Sequence, residues 1–549
     1  MTAQPVKRGG DRPGTLRNAL GRIVFWLPSV LAAGLLWAAF PPVRFPTGIF
    51  LAWLPLLILI EESLIPAPPS QRQRGLWRRI WAAGFLFYAG LLYWILHLSN
   101  EQVTIPGLMI PSLVLMAGYS ACFFVLLAAL LRWTALRTGW SLGLLLPIFW
   151  PLVEWLRSIG PLGFPWGSPG YALARFATAL QITAWTGFWG LHLWIGLVTG
   201  LLFFSLQRAR KRGMLRGAAL RYLVAALLVV LAPLGFGVGR LVRAPSPADA
   251  LAGDGSVATA IIQPNVIREV KWRPGGARAS LERLRRNSRE ALDEGAELLV
   301  WPETALPMRL LDQPLYLKRV AGLLEEGGAP LLTGTLHADY DSAGNVVRSH
   351  NSAILLRPGG ELDGLYHKRK LVPFSERMPL QKILPFLTMI DFGQSDFFPG
   401  RTWPLFEAGS LRMAPLICFE SVFPDVSRRF VDEGASVLVN ITNDFWFGDT
   451  PGPIQHADMA IHRAVETGLP LVRCANTGVS FFVDPYGRIV RRLGTFREGY
   501  LLAEVAPGRP SFAMRHGPWL LYLLGGIAGG LVLASGVLEI RAWRRRRHG

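Results

Sequence analysis

Cys418, Glu303 and Lys368 each stand where an apolar run ends, and together they have the makings of acyl transfer. Cys418 closes the run LRMAPLI (411–417) and is followed by Phe419, Glu420 and a break at Pro424. The pattern predicts a buried strand that delivers a thiol to a sharp turn into a helix. Glu303 follows LLVWP, and Lys368 follows the strand that ends in Tyr366-His367. A cysteine attacking an acyl carbon needs a base for its proton, a cation or N–H for the oxyanion, and a proton donor for the leaving group. A shielded carboxylate at Glu303 has a raised pKa and is a better base near neutrality. A lysine cation favours thiolate and then the oxyanion, and the Phe419 N–H is the expected second donor if the chain turns at Cys418.

Each residue alone has a plainer reading. Free cysteine is among the most buried residue types, a glutamate after Trp-Pro serves as a helix cap, and a lysine within HKRK belongs to a solvated basic run. Three reactive groups at the ends of three strands outweigh those readings, because loops on a rigid sheet are where function collects.

The elements that must position them lie between residues 257 and 493. Strands are expected at 257–266, 297–305, 330–336, 436–442 and 469–475, with an amphipathic helix over 279–292 and further helices over 421–433 and 454–467. Hairpins are expected for 351–357 with 362–366, for 403–406 with 411–418, and around Asp484 to Gly487. Mixed βα units and hairpins predict two sheets faced with helices, an α-β-β-α sandwich.

The remainder of the 549 residues is apolar in long runs. The hydrophobic fraction of 51% and charged fraction of 17% are those of a membrane protein. Spans are read at 21–40, 47–66, 79–98, 107–131, 141–156, 179–205, 219–240 and 517–539, about eight in all. The run at 141–156 is interrupted by Pro147, Pro151 and Glu154, and the first run lacks a small-residue cleavage site and reads as a retained anchor. The net charge of +20 sits in short runs beside the spans, with no nucleic-acid-binding signature, so nucleic acid is excluded as a partner. Basic residues mark the N-terminus (Lys7, Arg8, Arg12, Arg17), the loops 67–78, 132–140 and 206–218, and the tail Arg541 to Arg547. The loops near 41–46 and 99–106 carry only Arg44. By the positive-inside rule both termini are cytoplasmic and residues 242–516 lie outside. The division expected is a basic N-terminus (1–20), a seven-helix membrane region (21–241), a catalytic domain (242–516), an eighth span (517–539) and a basic tail (540–549). Three cysteines, one within a span, argue against a disulfide framework.

The segments WPETALP, YHKRKLVPFSE, ICFE and TNDFWFG resemble the nitrilase superfamily of carbon–nitrogen hydrolases, whose catalytic triad is Glu, Lys and Cys. With the spans, EWLR (154–157), GFPWGSPGY (163–171), QPNV…KW (263–272) and QHADMA…RAVE (455–466), nearly the whole chain resembles the apolipoprotein N-acyltransferase family of that superfamily. The resemblance implies Glu303 as general base, Lys368 as oxyanion stabiliser and Cys418 as nucleophile. It also implies Glu376 as an additional active-site acid, and Glu420, Trp272 and Trp446 as positions tied to activity or substrate contact. Trp166, in an external Gly- and Pro-rich loop with Tyr171, is a candidate substrate contact or an interfacial anchor. Ser375 and Phe419 stand where the family often has Gly and Tyr, and neither change removes a reactive group. The implied reaction moves an acyl chain from a phosphatidylethanolamine-like phospholipid onto the cysteine. It then passes to the α-amine of a diacylglyceryl-cysteine apolipoprotein in the bacterial inner membrane, with the catalytic domain periplasmic and no cofactor or metal. A membrane-tethered amidase using the same triad is the alternative, and a transporter or inactive scaffold is disfavoured by the complete triad and the scarcity of ionisable residues in the spans.

Overall fold

Proline and charge decide which apolar runs become long helices. The computed structural model describes residues 13–64, 69–97, 107, 109–212, 217–378 and 396–548. Lys7, Arg8, Arg12, the loop 99–106 and Arg216, all used in the charge argument, lie outside the described residues. The helical half begins with α1 (Pro13–Ala38). The second apolar run is divided into α2 (Gly48–Leu51) and α3 (Leu54–Glu62). Pro55 explains the division, since it donates no backbone hydrogen bond and its ring crowds the carbonyl four residues back. There follow α4 (Pro69–Leu91), α5 (Met109–Thr138), α6 (Leu142–Ser158), α7 (Trp189–Arg212) and α8 (Ala218–Val242). Pro111 falls in the first turn of α5, where proline is tolerated. The run 179–205 becomes α7 only after Gly187, whose φ of +70° ends the short helix before it.

Among the described residues, five helices are long and apolar enough to cross a membrane: α1, α5, α7, α8 and the C-terminal helix Trp519–His548. The other three of the eight runs depart from that form. One is split, α4 opens with arginines, and α6 is 17 residues long with two internal prolines. Leu223, Val224, Leu227, Leu228 and Leu231 of α8 are exposed, an apolar face that suits lipid.

Among the described residues, the α/β half contains two six-stranded sheets. Its strands are β1 (Val257–Gln263), β2 (Leu298–Val300), β3 (Leu331–Tyr340), β4 (Val346–Leu356), β5 (Leu362–His367) and β6 (Phe406–Ala408). They continue as β7 (Leu411–Ile417), β8 (Val437–Thr442), β9 (Leu471–Ala475), β10 (Ser480–Val483), β11 (Ile489–Leu493) and β12 (Gly499–Val505). The orders are β12-β1-β2-β3-β4-β5 and β11-β10-β9-β8-β7-β6. Helices α9 (Gly276–Asp293) and α10 (Pro314–Gly327) bury Leu281, Leu284, Val320, Leu323 and Leu324 with Leu299, Trp301, Ile354 and Leu356 of the first sheet. Helices α11 (Pro424–Asp432) and α12 (Gly452–Thr467) accompany the second. The sandwich is the one expected, with α10 and β12 added.

Three expected elements are altered. The strand over 297–305 shortens to β2 because Pro302 cannot donate to the ladder. The hairpin arm at 403–406 shifts to β6, beyond Pro404. The helix over 421–433 is a 3₁₀ turn, Cys418–Val422, followed by α11 with Pro424 at its start.

The two halves meet through α12, which is buried along its length except at Ile454. Its polar residues find partners across the junction. Gln455 Oε1 accepts from Trp166 Nε1 at 2.9 Å, Glu466 Oε1 accepts from the Phe188 N–H at 2.9 Å, and Asp458 pairs with Arg175 at 2.7 Å and Arg44 at 3.3 Å. Buried polar atoms without partners cost free energy, so these pairings make the junction specific.

Candidate active site

The strand β7 is buried at every position from Met413 to Ile417, and the ladder ends at Cys418. There the backbone enters the left-handed region, with φ of +54° at the cysteine. A non-glycine residue held there carries strain that its surroundings must sustain. Three donors secure the turn by binding the Cys418 carbonyl: Ser421 Oγ at 3.1 Å, Asn440 Nδ2 at 3.3 Å and His456 Nε2 at 3.2 Å. Part of the cysteine's surface stays open.

Glu303 and Lys368 converge on this thiol from the first sheet. Glu303 is close enough to the Cys418 thiol for their charges to interact, and it accepts at Oε1 from Asn351 Nδ2 at 2.7 Å and at Oε2 from the Asn443 N–H at 2.9 Å. Lys368 Nζ lies 2.8 Å from Glu376 Oε1 and 3.5 Å from Glu303 Oε1. Glu376 also accepts from Asn351 Nδ2 at 2.9 Å and from the Val372 N–H at 2.9 Å. The four expected groups therefore form one connected cluster, buried at Glu303, Lys368 and Glu376.

Burial sets the resting protonation. It pushes the Glu303 carboxyl up, against Lys368, with Glu376 adding to the rise. For Lys368 burial works downward, but Glu376, Glu303 and Cys418 together hold the ammonium above its ordinary range. Burial pushes the Cys418 thiol up and the Glu303 charge adds to it, while Lys368 opposes. The lysine pulls toward thiolate, as the sequence led us to expect, and loss of water outweighs that pull.

Glu420 is fully buried and braces the turn. Its Oε2 accepts from the Ile417 N–H at 2.8 Å, and its Oε1 accepts from Tyr366 Oη at 2.7 Å, the Arg369 N–H at 2.7 Å and the Lys370 N–H at 3.2 Å. One carboxylate thus ties the backbone before Cys418 to the backbone after Lys368.

Behind Cys418, Asp444 joins His456 at 2.9 Å and Arg473 at 2.9 Å, all buried. Burial works to raise the Asp444 carboxyl, but Arg473 and His456 overrule it and hold it down at about 2.

The aromatic candidates separate. Trp166 is buried, with its ring centroid 6.4 Å from that of Phe419 and stacked on it, so the helical half reaches the residue beside Cys418. Trp446 is partly buried beside Phe445, with the Arg268 guanidinium 5.9 Å from its ring. Trp272 is 45% exposed, whereas its neighbour Lys271 is buried and lies 6.0 Å from the Phe445 ring. Burial lowers Lys271 to about 7, against the pull of Glu303. Sequence reasoning singled out Trp272 and passed over Lys271. It also missed Asn351, Asn443, Asp444 and His456; the first has a weak signal, an amide with poor strand propensity inside a strand that buries it.

Comparison with known proteins places these halves. Residues 32–201 match the family model for the apolipoprotein N-acyltransferase N-terminal domain, and residues 258–510 match that for carbon-nitrogen hydrolase. The chain is 34% identical over 513 residues to the apolipoprotein N-acyltransferase of Geobacter metallireducens, covering 93% of this chain and 94% of that one. It is 34% identical to the enzyme of the same name from Allorhizobium ampelinum, covering 84% and 86%. Among solved structures, an amidase from Nesterenkonia sp. aligns with a TM-score of 0.37 at 22% identity, covering 50% of this chain and 97% of that one.

Proposed function

Since the chain belongs to the apolipoprotein N-acyltransferase family, we propose that Cys418 is its nucleophile, Glu303 its general base and acid, and Lys368 its oxyanion partner. The observation that carries this reading is the convergence of Glu303 and Lys368, whose ammonium lies 3.5 Å from the Glu303 carboxylate, on a thiol held at a strained turn.

In the first half-reaction Glu303 removes the Cys418 proton as sulfur attacks an ester carbonyl of a phospholipid. Lys368 and the Phe419 N–H bind the oxyanion, in surroundings where such charge stabilisation is strong. Collapse breaks the ester C–O bond. Glu303 returns its proton to the departing lysophospholipid oxygen, leaving a thioester on Cys418. In the second half-reaction the free α-amine of a diacylglyceryl-cysteine attacks the thioester, Glu303 accepts the amine proton, and the thiol is regenerated as the amide forms. Splitting the transfer through a thioester replaces one hard step by two easier ones. Glu376 holds Lys368, and Glu420 holds the turn and the Lys368 loop in register. Phosphatidylethanolamine as donor belongs to the same proposal and rests on the family resemblance, while a periplasmic catalytic half and an inner-membrane location rest on the basic loops.

The amidase alternative is not favoured, because the match covers the helical half as well as the hydrolase-like half. Supporting the membrane substrate, Phe164 and Trp166 of the helical half pack on Phe419.

The test uses detergent-solubilised full chain and phosphatidylethanolamine labelled in its acyl chain. A hydroxylamine-sensitive adduct should form on the wild type and be chased to a diacylated lipopeptide. Full transfer by Cys418→Ser sinks the assignment. A reporter fused after residue 250 should report a periplasmic position.

A further inference from the structure

Away from the catalytic cluster, three imidazoles and a carboxylate converge on the outer face of the first sheet. His337 and Asp339 are on β3, His350 on β4 and His367 on β5. His337 pairs with His350 across the β3–β4 ladder, and His367 pairs with Ser352 across β4–β5. Strand alternation puts these side chains on the face of Ile354 and Leu356, opposite Asn351 and Ala353. The set is therefore separated by the sheet from the Glu303–Lys368 side.

The His337, Asp339 and His367 donor atoms all lie within 4.8 Å of one another. The His350 and His367 rings are stacked with centroids 4.1 Å apart, and His337 lies 5.1 Å from His367 and 6.4 Å from His350. Two further observations point to a cation. The His337 Nδ1 is buried and has no hydrogen-bond partner among the described residues. His350 has an acceptor at both nitrogens, the Phe398 carbonyl 2.8 Å from Nδ1 and Asp339 Oδ2 3.2 Å from Nε2. A neutral imidazole has one N–H and one lone pair, so one of those contacts sets lone pair against oxygen unless a positive charge stands there.

We propose that His337, Asp339 and His367, with His350 beside them, form a binding site for a borderline divalent transition-metal ion such as zinc(II). Imidazole and carboxylate ligands suit such ions. In a tetrahedral zinc site with bonds of about 2 Å the donor atoms are roughly 3.3 Å apart, so side-chain rotation alone closes this set onto an ion. The bound ion clamps β3, β4 and β5 together. It also fixes the Phe398 carbonyl through His350, beside the Arg377–Phe397 contact that follows Glu376. The site is structural and stands independently of the acyl-transfer reading.

The test uses tag-free full chain in detergent, carrying Cys418→Ser so that the active-site thiol adds no ligand, stripped with EDTA and titrated with zinc chloride calorimetrically. One zinc per chain should bind, at least tenfold more weakly in His337→Ala and Asp339→Asn. Cobalt(II) should give visible absorption of a tetrahedral site in the parent and lose it in both variants. Zinc should raise the melting midpoint of the parent and leave that of the variants unmoved, since an ion held only by the folded state stabilises it. The same two substitutions made with Cys418 intact should retain acyl transfer, which shows that they fold. Absence of zinc binding in the parent, or equal binding in parent and variants, overturns the proposal.

Discussion

Gly334 makes room for Glu303. A β-carbon at 334 would stand 2.5 Å from the Glu303 Cα and 2.6 Å from the Thr304 nitrogen. The chain after β2 wraps this glycine, with the Gly334 N–H donating to the Pro302 carbonyl at 3.2 Å and the Ala305 N–H donating to the Gly334 carbonyl at 3.1 Å. Gly334→Ala should therefore push the base out of line without altering a reactive group. A displacement of about 1 Å costs on the order of 100-fold in rate, and kcat for acyl-enzyme formation should fall by about that much while the protein still binds to and elutes from detergent micelles as a monodisperse species.

The raised Glu303 carboxyl fixes the sign of the acid limb. Glu303 accepts a proton only when ionised, so activity is lost as pH falls through its pKa. Burial places that pKa above the ordinary glutamate value of about 4.3. The pH profile of kcat/KM for thioester formation should show an acid limb above that value. Glu303→Gln should lower the rate by on the order of 10³-fold and remove the limb; an unchanged limb in that variant would assign it to another group.

Glu420 acts through the backbone it ties. Glu420→Gln turns one acceptor oxygen into a donor that faces an N–H, leaving buried donors unpaired at about 1–3 kcal/mol each. We expect kcat to fall at least tenfold with little change in KM. Tyr366→Phe removes a single donor to the same carboxylate and should have a smaller effect, of about 1 kcal/mol in stability. Equal effects from the two would remove the backbone-bracing role.

The strain at Cys418 is measurable. Cys418→Gly and Cys418→Ala both remove the thiol, but only glycine enters positive φ without steric cost. Glycine should be more stable than alanine here by about 1 kcal/mol, read as a higher thermal midpoint; the reverse order would mean that the turn relaxes once sulfur is gone.

Asp444→Asn strands the Arg473 charge in the interior. Removing one member of a buried pair costs about 3–5 kcal/mol. The native carboxyl is depressed to about 2 from the ordinary aspartate value of 3.8, so its contribution of roughly 2 kcal/mol is present above about pH 4 and is lost as pH falls through about 2. Acid titration of unfolding should show this loss in the wild type and lack it in Asp444→Asn.

The strands and their reactive ends were legible because a buried strand leaves a plain apolar run, and the first polar group after it marks where the chain leaves the core. Cys418, Glu303 and Lys368 all carry that mark. Asn351 and Asn443 do not, because each bonds to Glu303 from a distant part of the chain; Asn351 offers only its poor strand propensity, and Asn443 no local pattern. Gly334 was equally silent, since its importance lies in an approach from a neighbouring strand. Proline signals were legible but underweighted: Pro302, Pro55 and Pro424 shortened or divided elements drawn longer from hydropathy. Helix α12 was found by its pattern, while burial of its polar face was not, because that face is covered by residues almost three hundred positions earlier, Trp166 and Arg175.

That shared covering of α12 makes the hydrolase-like half a poor candidate for excision. A fragment beginning after Val242 would carry Gln455, Asp458 and Glu466 into water without Trp166, Arg175, Arg44 and the Phe188 N–H, and would bare Phe419 next to the nucleophile. The floor of the catalytic centre would become an apolar surface inviting self-association. Any soluble version of this enzyme must therefore be engineered with a substitute for the helical half.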